Sequence, residues 1–82
     1  MKYNVVYSRQ AETELLVLPG KIQRQVAAKV ARLQYGFSGD IKKLQATDNV
    51  YRLRSGSHRI LFELEGSTII IRALRAQKDA YE

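Results

Sequence analysis

Between Val50 and Arg75 the chain reads VYRLRSGSHRILFELEGSTIIIRALR, three strand-like runs separated by two glycine-containing breaks. Breaks of this kind close antiparallel hairpins, because glycine supplies the positive φ that a tight turn needs. The turns are expected at Ser55-Gly56-Ser57 and Glu65-Gly66-Ser67. A meander of three strands therefore dominates the second half of the chain. In its first strand Val50, Arg52 and Arg54 fall on one side, and Tyr51 and Leu53 on the other. TIIIRAL is the most apolar run and is expected at the centre of the sheet. Arginines stand at 52, 54, 59, 72 and 75, inside or beside these strands. A sheet covered on both faces does not carry so many guanidinium groups, so one face is expected to stay open.

The first half supplies the cover for the other face. KYNVVYS (2–8) is β-branched and aromatic, a short strand. A helix follows, with Ser8 as its N-cap, and with Ala11, Leu15 and Leu18 at helical spacing. Leu16 and Val17 are expected to widen that stripe, and Pro19-Gly20 breaks it. The next helix spans KIQRQVAAKVARLQYG, with Ile22, Val26, Val30 and Leu33 on one face. Lys21, Arg24, Lys29 and Arg32 are left for solvent, and Gly36 suits the C-terminal cap. So short a connection makes the two helices a hairpin. Residues 37–49 show no period and read as a loop anchored by Phe37, Ile41 and Leu44. The order is β-α-α-β-β-β. It predicts a single α+β domain over residues 1–82, an antiparallel sheet with a helical hairpin packed on one face.

Composition narrows the function. Fourteen Lys+Arg against eight Asp+Glu give a net charge of +6, which points to a polyanionic partner. Lys42, Lys43, Arg52, Arg54 and Arg59 stand against Asp48 alone within 42–59, so the imbalance is concentrated there. With no cysteine there is no disulfide framework and no thiolate metal site. No apolar run approaches the roughly 20 residues of a membrane span. MKYNVVYSRQ lacks the apolar segment of a secretory signal. The expectation is a cytoplasmic protein without cofactor or metal.

One run is more specific than composition. Tyr51-Arg52-Leu53-Arg54, a glycine turn at Gly56, then Arg59 through Glu63 is preceded by DIKKLQ and followed by IIIRALRAQKDAY. Together with the element order, this resembles the RelE/ParE toxin family over nearly the whole chain. Within that family, RelE-type members are endoribonucleases that cut mRNA in the ribosomal A site, whereas ParE-type members poison DNA gyrase without nuclease chemistry. Both are made with an antitoxin that wraps the toxin. The resemblance implies a type II toxin that acts on mRNA in the 70S ribosome and binds an acidic, RelB-like antitoxin. The alternatives are a gyrase inhibitor and an inert relative that only binds its antitoxin or nucleic acid.

The resemblance also implies a site. Arg52, Arg54, Arg59, Arg75 and Tyr81 match the family's catalytic positions, with Arg59 on the scissile phosphate. A guanidinium bridges two phosphate oxygens and keeps its charge, which suits it to stabilising the extra negative charge that builds on the phosphoryl group. Lysines are frequent in the family where Arg52 and Arg54 stand, and a guanidinium cannot replace a lysine as a base. A basic pair usual before the tyrosine is replaced by Ala76 and Gln77. Tyr81 is left for base stacking or proton transfer. His58 should lie opposite Arg59, on the face of Ile60, Phe62 and Leu64. Lys42, Lys43 and Lys78 are expected to contact the RNA backbone.

Overall fold

The computed structural model describes residues 2–37, 39–44 and 49–76. Strand β1 (Asn4–Tyr7) leads into helix α1 (Arg9–Leu16) and helix α2 (Gly20–Arg32), which ends in a 3-10 turn at Leu33–Tyr35. Strands β2 (Ile41–Lys43), β3 (Val50–Ser55), β4 (His58–Glu65) and β5 (Thr68–Ala76) follow. Among the described residues the strands make one sheet in the order β1-β5-β4-β3-β2. Both helices lie on one face, so the α+β architecture read from the sequence is the one observed.

Local chemistry explains the elements. The Ser8 side chain accepts the Ala11 N–H at 3.1 Å and starts α1. Gly36 closes the 3-10 turn at φ 134°, and its N–H donates to the Leu33 carbonyl. Ser55 pairs with His58 and Glu65 with Thr68, leaving two-residue hairpin turns. Gly56 and Gly66 take φ near +58° and +59°, while the serines that follow them keep negative φ, the pattern of a type II′ turn.

The core lies between the helices and the sheet. Ala11, Val26, Val30 and Leu33 meet Leu53, Ile60, Phe62, Ile69, Ile71 and Leu74. Phe37 caps one end, with ring centroids 5.0 to 5.6 Å from those of Tyr3, Tyr51 and Phe62. The expected anchoring of the 37–49 segment by Phe37 and Ile41 is therefore present.

The sheet differs from the expectation in three respects. Residues Ile41–Lys43, read as loop, form an edge strand antiparallel to β3. Strand β1 joins the antiparallel meander in parallel, along β5. The middle position belongs to β4, and β5 lies between β1 and β4. Helix α1 is also shorter than its apolar run. It stops at Leu16, so Leu16 and Val17 are exposed at 66% and 77% instead of widening the buried stripe. Among the described residues no helix is long and apolar enough to cross a membrane.

Candidate functional site

The face of the sheet away from the helices is set by register. Across β3 and β4, Arg54 is paired with Arg59 and Arg52 with Leu61. Across β4 and β5, Arg59 is paired with Arg75 and Leu61 with Ala73. Directly opposed residues point to the same side. Arg54, Arg59 and Arg75 therefore form one row across three adjacent strands, and at about 5 Å per strand the row is about 10 Å wide. Arg52 sits in the next row beside Lys42, its partner on β2. Arg52 and Arg59 are half-buried, whereas Arg54 and Arg75 are exposed.

A bulge makes this alignment possible. Phe62 is paired with Ile71 and Leu61 with Ala73, so Arg72 has no opposing residue on β4. Strict alternation from Ile71, which points into the core, would send Arg75 to the helix side as well. One extra residue reverses the phase and returns Arg75 to the side of Arg59. Arg72 itself binds Glu63, its Nε donating to Oε1 at 2.8 Å and its Nη2 lying 2.7 Å from the same oxygen. The Asn49 amide donates to the other carboxylate oxygen of Glu63 at 3.3 Å. The open face thus divides into a basic row at one end and a neutralised Arg72–Glu63 pair at the other.

Lys43 is paired with Tyr51, so it lies on the opposite side from Lys42. Lys78 and Tyr81 lie outside the described residues. His58 is paired with Ser55 and Ala76, on the helix side and away from the arginine row; its Nδ1 is 3.4 Å from Ser57 Oγ. Tyr7, half-buried on β1, has its phenol pushed up by burial. Of the basic residues of α2, Lys29 is half-buried, and its Nζ donates to the Arg54 carbonyl at 3.3 Å. Among the described residues no cluster of His, Cys, Asp or Glu is arranged to hold a metal ion. Two acidic residues that the sequence reading did not assign also touch this site. Glu63 holds Arg72, and Glu14 on α1 lies 3.5 Å from Arg75. Neither has a local motif that marks it.

Such a face offers fixed positive charge and planar hydrogen-bond donors to a phosphate-bearing chain. No family model matches the sequence. Toxin RelE3 of Methanocaldococcus jannaschii is 31% identical over 83 residues, covering 95% of this chain and 94% of that protein. The chain belongs to the RelE toxin family. RelE in the RelB-RelE antitoxin-toxin complex from Methanococcus jannaschii superposes with a TM-score of 0.80, at 29% identity over 93% of this chain and 94% of that one. The archaeal RelE-RelB complex from Pyrococcus horikoshii OT3 gives 0.80 at 26% identity, over 94% and 97% of the two chains. The RelE fold accounts for the mixed sheet and the helical pair alike.

Proposed function

We propose that this chain is the toxin of a type II toxin–antitoxin module and acts as a ribosome-dependent endoribonuclease on mRNA in the A site. The observation that carries the reading is the row of Arg54, Arg59 and Arg75 across three strands. Like charges placed directly opposite one another are unfavourable in an isolated sheet, and a bound polyanion offsets them.

RNA cleavage of this kind begins when the 2′-hydroxyl attacks its own 3′-phosphate. The hydroxyl proton leaves, negative charge grows on the phosphoryl oxygens, and the departing 5′-oxygen takes up a proton. Arg59, at the middle of the row, faces the scissile phosphate and stabilises its growing charge. Arg54 and Arg75 flank it and hold the neighbouring phosphoryl oxygens. Arg52 and Lys42 carry the strand onward across β3 and β2, Lys78 adds a backbone contact, and Lys43, on the other side of β2, takes no part. These contacts position the RNA without reading its sequence. Proton movement falls to Tyr81, since a guanidinium does not give up its proton. The ribosome contributes alignment of the mRNA that so small a surface does not provide.

The antitoxin partner follows from the relatives, whose solved structures are RelB-RelE complexes. An acidic, RelB-like chain that covers the arginine row would silence it. The gyrase-inhibitor alternative is not favoured, because the relative that decides the family is a RelE toxin.

The test is a purified translation system in which new mRNA 5′ ends are mapped, with gyrase supercoiling as the control. Wild-type protein is expected to cut ribosome-bound mRNA and leave supercoiling unchanged. Arg59→Ala is expected to lower the cleavage rate about a hundredfold, the usual cost of removing one donor to developing charge. Antitoxin binding and folding should be retained. A variant that cuts as fast as wild type would sink the assignment of Arg59.

A further inference from the structure

Strand β1 covers β5 only from Thr68 to Ile71. Beyond that point no strand among the described residues pairs with β5 on this side, yet its polar groups still need partners. Helix α1 supplies them. The Ser8 N–H donates to the Ile71 carbonyl at 2.8 Å, and Ser8 Oγ donates to the Arg72 carbonyl at 3.1 Å. Glu14 Oε1 accepts the Leu74 N–H at 2.8 Å. Its second oxygen, Oε2, lies 3.5 Å from Nη1 of Arg75, the residue that follows. One carboxylate therefore grips both the backbone of β5 and the side chain of a member of the arginine row. Because Oε1 is fixed by a short backbone bond, Oε2 is held in place with little further loss of freedom.

We propose that Glu14 is the positioning residue for Arg75. It holds the guanidinium at the β5 edge and offsets its repulsion from Arg59. The other N–H groups of Arg75 are left for a phosphate bound beside Arg59. What Arg75 does there rests on the nuclease reading; its anchoring by Glu14 does not.

Glu14→Gln separates the two contacts. Its amide oxygen still accepts the Leu74 N–H, but the charge facing Arg75 is gone. Single-turnover cleavage on saturating programmed ribosomes is measured for wild type, Glu14→Gln, Arg75→Ala and the double variant. Glu14→Gln is expected to slow cleavage about tenfold, as misplacement of a catalytic group does, without raising the ribosome concentration at half-saturation. The double variant should be no slower than Arg75→Ala alone, because both changes remove one device. A Glu14→Gln rate equal to wild type, or two effects that multiply in the double variant, would overturn the proposal. The Arg75 Nε–Hε resonance gives a readout independent of cleavage, and Glu14→Gln is expected to move it. If the wild type cuts no mRNA, the nuclease reading falls by itself. The resonance then decides: a shifted signal supports the anchoring and an unmoved one overturns it. Glu14→Ala controls for the backbone contact, and it alone should lower the melting temperature.

Discussion

Arginine faces arginine twice in the row formed by Arg54, Arg59 and Arg75. Each facing pair costs a few tenths of a kcal/mol in an antiparallel sheet, by the same measure that makes opposite charges there favourable. Arg54→Thr removes one such pair and inserts a residue that suits a strand. It is expected to raise stability by about 0.5 kcal/mol, read as a melting temperature about 2–4 °C higher, while weakening RNA binding. A lower melting temperature would mean that the row is not repulsive. Half of this arrangement was legible in the sequence. Period-two alternation put Arg52 and Arg54 on one side of β3 and His58 opposite Arg59, and the register agrees. The place of Arg75 was not legible. It depends on the extra residue at Arg72, and nothing in TIIIRALRA marks where alternation slips. The bulge is held by Glu63, nine residues back in the chain and on another strand.

At the level of elements, α1 does the work of a strand it does not resemble. Its N-cap Ser8 and Glu14 continue the hydrogen bonding of β5 where β1 stops. Ser8 is both the helix cap and part of that seam, accepting from Ala11 and donating to Arg72. Ser8→Ala is therefore expected to cost about 2 kcal/mol, at the upper end for a lost cap, and a urea melt would register it. Ser8→Thr should recover most of the loss, since its hydroxyl makes the same two bonds. The cap was evident from the sequence because a serine preceding a helical apolar pattern has a local cause. Strand β2 was not, because Ile41–Lys43 offers one apolar residue in three and becomes a strand only by meeting β3. The direction of β1 was hidden for a related reason. VVY identifies a strand, but only the helical pair returning the chain across the sheet determines whether that strand runs with β5 or against it.

At the scale of the whole molecule, a net charge of +6 predicts nucleic-acid binding that weakens steeply with salt. If Arg52, Arg54, Arg59 and Arg75 each neutralise one phosphate of a single strand, log K should fall against log salt with a slope of about −3. Lys42→Ala, beside Arg52, should reduce that slope by about 0.7 if it adds a fifth contact, whereas Lys43→Ala should leave it unchanged. Titrations of a short uncleavable oligonucleotide at several salt concentrations would measure both. An equal effect of the two lysines would mean that the two sides of the β2 edge are used alike.

The parallel seam between β1 and β5 has a consequence for how the molecule is born. Ser8 bonds to Arg72 across 64 residues of sequence, so the first strand waits for nearly the last before it can dock. Contacts of such long separation slow folding. During synthesis β1 leaves the ribosome long before β5, and the parallel pair forms only once β5 has emerged. The row of Arg54, Arg59 and Arg75 is likewise incomplete until β5 has paired with β4.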